Sequence, residues 1–357
     1  MKHVSSLDGV RGIAVIMVML FHSHTPGASL GWAGVPLFFC LSGFLITSIL
    51  KEDNKKSFFE YMKKFLINRS LRIFPLFYLY LIVNFFALKA TGSSTDGYWW
   101  FIVYLQNYFI GFNIFTPGIL GHTWSLAIEE QFYWIWPLVI FFIRSSRAVY
   151  FFISLVIISL VSRYVIFHVS GGNPYMTNVT LISCVDMLVL GAIFGYLKDS
   201  KRTLSIAFFT FTAGVLITAY GVITIGLDNF WTPETWVGHG LYLFTSLGMT
   251  FSSLIWFLYN AGNKKNILSN FFNTSFLRFT GKISYGLYMW HLLCFAVIGK
   301  IFSFIHVSQT GAIYIASSLV LSYMVSIASF YLYERAFLKL KINPADQETT
   351  VTVKQTA

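Results

Sequence analysis

Apolar runs dominate the chain and recur at the length of a bilayer. Stretches near the roughly 20 residues that a helix needs to cross a membrane lie at about 9 to 26, 32 to 50, 73 to 90, 123 to 143, 148 to 168, 179 to 197, 203 to 226, 240 to 259, 283 to 304 and 312 to 333. The pattern predicts an all-α integral membrane protein, a bundle of about ten transmembrane helices. An eleventh run, "YWWFIVYLQNYFIGFNIF" near 98 to 115, is crowded with aromatics and interrupted by Gln106, Asn107 and Asn113. It either crosses the membrane or dips in and leaves on the same side.

Charge placement separates these two readings. Of 357 residues 56% are hydrophobic and only 11% charged, with a net charge of +11, whereas about a quarter of a soluble domain is charged. So basic a balance can signal nucleic acid, but here the positive residues form short clusters between apolar runs, as the positive-inside bias requires, and nucleic acid is not the expected partner. If the 98 to 115 segment does not span, 22 of the 25 lysines and arginines share the side of the N-terminus, leaving Lys89, Arg163 and Lys300. If it spans, the division becomes 11 against 14. The first arrangement is expected: both termini cytoplasmic, with a re-entrant or interfacial segment near 98 to 115 on the outer side. Irregular backbone at membrane depth is tolerated where it is buried in protein or lines a wet cavity, so a cavity is expected nearby.

The expected organisation is one membrane domain, 1–341, followed by a disordered cytoplasmic tail, 342–357, that ends in "NPADQETTVTVKQTA". The first 28 residues resemble a signal peptide, but Asp8 beside Arg11 and an immediate second apolar run favour retention of the segment. Cys40, Cys184 and Cys294 all fall inside apolar runs and predict packing residues rather than a disulfide framework. No metal site is expected.

An ionisable side chain at the centre of a bilayer helix costs about 2.5 to 3.5 kcal/mol on insertion scales, so each one faces the bundle interior with a partner or a task. Arg11, His22, Glu129, Glu130, Asp186, His291 and Glu334 are the candidates. In "LDGVRGIAVIMVMLFHSH" the step from Arg11 to His22 returns to within about 20° of the same helix face and covers about 16 Å. Arg11 then lies near the cytoplasmic boundary and His22 well inside, while His24 faces elsewhere. Taken singly, Arg11 can be an interfacial anchor paired with Asp8, and His22 an interhelical hydrogen-bonding residue. Their shared face favours a joint role.

In "GHTWSLAIEEQFYWIWPL", Ser125, Glu129 and Tyr133 form a polar stripe at helical spacing, expected at the outer mouth of the fourth span. The adjacent Glu130 points about 100° away and is expected to be solvated or paired. In "NRSLRIFP", Arg69 and Arg72 stand one turn apart ahead of Pro75. If Pro75 opens the third span, these arginines flank a helix N-terminus and suit phosphate oxygens, although arginines beside a span also serve as lipid-headgroup anchors. In "GKISYGLYMWH", Ser284, Tyr288 and His291 share a face of the ninth span.

These stretches, with "GVPLFFCLSGFLITSIL" at 34 to 50, resemble in order the signature segments of the acyltransferase-3 family of membrane O-acyltransferases. The resemblance implies transfer of an acyl group, usually acetyl, from cytoplasmic acyl-CoA to a hydroxyl of a cell-surface or lipid-linked glycan, such as lipopolysaccharide O-antigen or exopolysaccharide. Acetyl-CoA would be a cosubstrate, with no permanently bound cofactor. The other partners would be the glycan acceptor and membrane lipid, in a bacterial inner (cytoplasmic) membrane. The family's arginine and histidine of the first span fall on Arg11 and His22, its R-x-x-R element on Arg69 and Arg72, its W-S-L-x-x-E element on Trp124, Ser125, Leu126 and Glu129, and its S-Y-x-x-Y-x-x-H pattern on Ser284, Tyr285, Tyr288 and His291. The implied roles are His22 as general base, Glu129 orienting it or stabilising its charged form, Arg11 beside the acyl path, and Arg69 with Arg72 on the donor's phosphates. Trp124, Ser125, Tyr133, Ser284, Tyr288 and His291 would bind the acceptor or support the site. An acyl-histidine or acyl-tyrosine intermediate is the mechanistic alternative. Two positions depart from the family pattern, Ala336 where proline is usual after Glu334 and Cys184 where arginine is usual before Asp186, and Asp186 is left without a role. The soluble SGNH-type domain of many relatives is not expected here. Ten spans with interior charge also suit a transporter or flippase, or a non-catalytic scaffold of an envelope polysaccharide pathway.

Overall fold

A computed structural model of the chain describes residues 4–52, 57–112, 118–143, 147–197, 199–226, 233–262, 266–309 and 311–342. The expected tail, from residue 343 onward, and Asn113 lie outside them. Among the described residues the fold is helical throughout, with no strand. The helices are α1 (Ser5–His22), α2 (Gly34–Glu52), α3 (Phe58–Ala90), α4 (Trp99–Ile102), α5 (Gln106–Gly111), α6 (Trp124–Phe142), α7 (Ala148–Val169), α8 (Pro174–Asn178), α9 (Leu181–Tyr196), α10 (Lys201–Ile225), α11 (Pro233–Ala261), α12 (Ile267–Phe272), α13 (Ser275–Lys282), α14 (Ser284–Phe304), α15 (Ala312–Ser329) and, after a π-helical turn at Phe330–Glu334, α16 (Arg335–Leu338).

Nine helical stretches among the described residues are long and apolar enough to cross a membrane. They correspond to the expected apolar runs apart from 123 to 143. That run forms α6, 19 residues long, whose Glu129, Glu130 and Gln131 lower its apolar character.

The third span differs from its expectation. Helix α3 has 33 residues and contains Pro75 in its interior. At about 50 Å it outruns the ~30 Å hydrocarbon layer, so part of it extends past the apolar zone. Arg69 and Arg72 therefore sit inside a continuous helix, not at a helix N-terminus, and free backbone N–H groups contribute nothing to their anion affinity. The hydroxyls of Tyr285 and Tyr333 donate to the carbonyls of Ile73 and Pro75 at 2.7 and 3.2 Å, fastening α14 and the π-helical turn to this stretch.

With no water between helices, close backbone approach drives packing, and small residues permit it. Helix α2 lies on α9 through Gly43 and Gly191. A Cβ at these positions would stand 1.8 Å from the Leu188 oxygen and 2.0 Å from the Cys40 oxygen. Helix α1 lies equally close to α13, where a Cβ at Gly281 would stand 1.7 Å from the Asp8 oxygen. All three cysteines are free and buried, as expected.

The described part of the 98 to 115 segment is broken into α4 and α5, with Tyr104 between them in the left-handed region at φ 57°. The polar residues that interrupt its apolar run are what hold it. Gln106 donates to Thr123 O at 3.0 Å and Asn107 to Val179 O at 3.0 Å, while Gln131 of α6 donates to Tyr104 O and Asn107 Oδ1, both at 2.9 Å. Both Gln106 and Asn107 are fully buried.

Arg163, expected among the few basic residues on the outer side, is a buried residue of α7 ion-paired to Asp186 of α9. It also donates to Leu241 O at 2.6 Å and to Thr245 Oγ1 at 3.1 Å, both on α11. An arginine from a neighbouring helix thus supplies what Cys184 lacks, and Asp186 ties α7, α9 and α11 together. Breaking a buried pair strands a charge, whereas replacing both partners does not. Thermal unfolding in detergent should show Arg163→Leu destabilised by about 3 to 5 kcal/mol, with most of that loss recovered in the Arg163→Leu/Asp186→Leu double variant.

Candidate functional site

Four helices carry eight of the eleven candidate residues to one cavity. Arg11 comes from α1, Arg69 and Arg72 from α3, Ser125, Glu129 and Tyr133 from α6, and Ser284 and Tyr288 from α14. All eight line an internal cavity of about 100 Å³, together with Ser42 of α2 and Tyr285 of α14. The Ser125–Glu129–Tyr133 stripe therefore faces inward on the same space as the arginines instead of forming an outer mouth. Helical periodicity explains the gathering, because each set repeats at three or four residues and so presents one face.

At the arginine end, Arg11 Nη1 donates to Asp8 Oδ1 at 2.6 Å, which satisfies one guanidinium within its own helix. The Arg69 guanidinium stacks over the Tyr133 ring at 5.1 Å and the Phe65 ring at 5.8 Å, fixing its plane without a carboxylate. Glu129 faces the same cavity. Ser42 Oγ donates to its Oε1 at 2.9 Å and Tyr133 OH to its Oε2 at 3.1 Å. Glu130 was expected to be solvated or paired; it is buried, and its Oε1 is neither.

At the other end, Ser125 Oγ lies 2.6 Å from Tyr288 OH, and that phenol donates to His122 O at 2.7 Å. With the phenolic proton so engaged, Ser125 is the donor of the first contact. Tyr288 lines the cavity on one side and packs against His291 on the other, with ring centroids 5.9 Å apart. Neither His22 nor His291 lines the cavity; the cavity and the histidines meet at Tyr288.

His22 is paired with His291, Nδ1 to Nε2, at 3.0 Å. The surroundings settle which atom carries the proton. His291 Nδ1 faces two backbone carbonyls, Tyr288 O at 2.8 Å and Leu287 O at 3.2 Å, and carbonyls only accept. His291 Nδ1 therefore bears hydrogen, its Nε2 in the neutral ring is the acceptor, and His22 Nδ1 donates to it. His22 Nε2 is left with its lone pair, the tautomer a general base requires. Glu129 was expected to orient His22; its carboxylate is instead engaged by Ser42 and Tyr133, and His291 holds the imidazole.

Trp124 stands apart from both ends and packs edge-on against Phe39 at 6.1 Å. His24 is exposed with φ 53°, pointing away as expected. Two neighbours escaped the sequence reading. Ser42 is one of three hydroxyl residues in an apolar helix, with Thr47 and Ser48, and gives almost no signal. His122 is buried against His291, with ring centroids 5.0 Å apart and neither ring nitrogen hydrogen-bonded; its only signal was a histidine just ahead of an apolar run. The described residues contain no group of histidine, cysteine, aspartate and glutamate arranged to hold a metal.

Comparison with known proteins adds three findings. A family model described as "Acyltransferase domain" matches residues 4–331. The peptidoglycan O-acetyltransferase OatA of Listeria monocytogenes is 30% identical over 319 residues, covering 81% of this chain and 49% of that protein. The putative peptidoglycan O-acetyltransferase YrhL of Bacillus subtilis is 29% identical over 318 residues (81% and 48%), and the O-acetyltransferase OatA of Staphylococcus aureus 29% over 315 (81% and 50%). The chain spans about half the length of these curated relatives. No solved structure matches it.

The tautomer assignment is open to direct measurement. Nitrogen-15 spectra of ring-labelled histidine should show His22 protonated at Nδ1 and bare at Nε2. In His291→Phe that preference should disappear, and in His291→Gln, whose side-chain carbonyl can accept the same proton, it should persist.

Proposed function

Since the chain belongs to the acyltransferase-3 family, we propose that it is a bacterial membrane O-acetyltransferase, moving an acetyl group from cytoplasmic acyl-CoA to a hydroxyl of a cell-envelope glycan. The observation that carries this reading is the single cavity that runs from Arg69 and Arg72 to Tyr288, behind which His22 presents a bare Nε2. The names of the relatives, two of them peptidoglycan O-acetyltransferases, favour a peptidoglycan sugar over the lipopolysaccharide or exopolysaccharide acceptors first expected.

The residues divide the work between the two ends. Arg69 and Arg72 hold the phosphates of the donor, a task that suits guanidinium forks with no carboxylate partner. Burial among helices strengthens that attraction, because little water competes for the charge. The acyl arm extends along the wall formed by Ser125, Glu129 and Tyr288. His22 Nε2 removes the proton of the acceptor hydroxyl as its oxygen bonds to the acyl carbon, and the C–S bond breaks with the same proton passing to the departing sulfur. His291 stabilises the imidazolium through Nε2 and fixes the ring's orientation. Glu129 offsets the positive charge of the three arginines, and its anchoring by Ser42 and Tyr133 keeps it facing them. The clustering of basic residues on one side supports an orientation with the arginine end toward the cytoplasm.

Membranes containing the full chain, supplied with carbon-labelled acetyl-CoA, should place label in extracted glycan. His22→Ala should lower the rate at least about 100-fold, the usual contribution of a general base, while Arg69→Ala and Arg72→Ala should chiefly raise the donor KM. Undiminished transfer by His22→Ala removes that residue from the chemistry. Absence of label with every glycan tested, alongside glycan translocation that needs no acetyl-CoA, replaces the enzyme reading with a flippase.

A further inference from the structure

Beyond the last candidate span the chain folds back onto α3. Asn68 holds it with a reciprocal pair of hydrogen bonds, Nδ2 donating to Ile342 O at 3.2 Å and the Ile342 N–H donating to Asn68 Oδ1 at 2.8 Å. This clamp fixes Lys341 in the wall of a second cavity, about 300 Å³ in volume. Arg11, Leu45, Arg69 and Arg72 line both cavities, so the two are chambers of one cleft. Lys64 of α3 also faces the larger chamber, and among the described residues no acidic side chain lines it.

Gathering this many cations costs energy unless something of opposite charge completes the set. Glu129 offsets the arginines from the smaller chamber, but among the described residues no carboxylate faces the larger one. Asp8 serves Arg11, and among the described residues no carboxylate pairs with Arg69, Arg72 or Lys341. Lysine contributes a point charge with rotatable donors, suited to a phosphate whose position the arginine forks have already set.

We propose that Lys341, held by Asn68, is a third phosphate ligand of the cleft, closing the polar end of the donor chamber on a multiply phosphorylated nucleotide. This rests on the reading of Arg69 and Arg72 as the donor-binding pair and extends it to a residue outside the membrane spans. The larger chamber takes the nucleotide and the smaller one the acyl arm. It follows that the backbone segment 340–342 is part of the binding site and not merely the end of the helical domain.

The same surroundings make the contact sensitive to pH. Among the described residues, Tyr61, Lys64, Arg69 and Arg72 of α3 and Arg11 of α1, with Asp8 behind it, are the titratable groups lining the chamber around Lys341, and α2 lines it with Leu45, Ile49 and Leu50. Burial first, then Arg72, Arg69 and Arg11, lower the Lys341 ammonium to about 8. It is charged at neutral pH and loses its proton as pH rises through that value, whereas a bound phosphate favours the charged form. Affinity for phosphate must therefore fall as pH rises above 8.

The test is calorimetric titration of the full chain in neutral detergent with desulfo-coenzyme A, which has no thiol to titrate and whose phosphates are already ionised at pH 7. Wild type should bind roughly tenfold more weakly at pH 9.5 than at pH 7, the loss of one charge-assisted contact. Lys341→Arg should bind equally well at both values, and Lys341→Met weakly at both. Asn68→Ala, which frees the segment but keeps the charge, should weaken binding at pH 7. If Arg69→Ala weakens binding while Lys341→Met and its pH profile match wild type, the role of Lys341 is refuted and the donor site stands. If Arg69→Ala also leaves binding unchanged, the donor reading itself fails. If Lys341→Met leaves nucleotide binding intact but lowers retention of phosphatidylglycerol during purification, the phosphate belongs to a lipid headgroup and the nucleotide assignment is overturned.

Discussion

A polar side chain inside a helical membrane bundle has little water to fall back on, and several here find their partners on another helix. That constraint organises the molecule. Arg163 and Asp186 satisfy one another across α7 and α9 and recruit Thr245 and Leu241 from α11. Ser42 and Tyr133 satisfy Glu129 between α2 and α6. His22 and His291 satisfy one another between α1 and α14. Arg69 and Arg72 differ, because among the described residues no carboxylate is ion-paired with them and they line open volume instead.

The consequence is a division of labour along one cleft. Cations line its polar end, the middle is walled by hydroxyl groups and a tethered carboxylate, and the far end is closed by the phenol of Tyr288. Behind that phenol the histidine pair is preorganised by backbone carbonyls of α14, which dictate a tautomer without any acid in contact. A base held by another imidazole differs from one held by a carboxylate in that its imidazolium form is stabilised by a dipole and not by a full charge.

Much of this was legible in the chain. Helical periodicity brought Ser125, Glu129 and Tyr133 to one face, and α6 presents that face to the cleft. The polarity of Gln106 and Asn107 signalled that 98 to 115 is not a plain span, and those same side chains pin the break between α4 and α5. What periodicity cannot supply is partnership across helices. It says that His22 faces inward but not that His291 lies opposite, and it ranks Arg163 by its sequence neighbours when its true neighbour is 23 residues away on α9. Pro75 misled for a related reason. Proline favours a first turn in isolation, but Tyr285 and Tyr333 fasten the chain on either side of it and α3 runs through. Ser42 and His122 were silent because a single hydroxyl or imidazole in an apolar stretch looks the same whether it packs or works.

In the function proposed above, one cleft connects phosphate-binding cations to a base held by histidine. Cryo-electron microscopy of the full chain with a non-hydrolysable acetyl thioether analogue of coenzyme A tests it most directly. The account predicts diphosphate density against Arg69 and Arg72, the pantetheine arm along Ser125 and Glu129, and the acetyl end at Tyr288 within reach of His22 Nε2. Density for the analogue on the opposite face of the bundle, or with its acetyl end remote from His22, would contradict it.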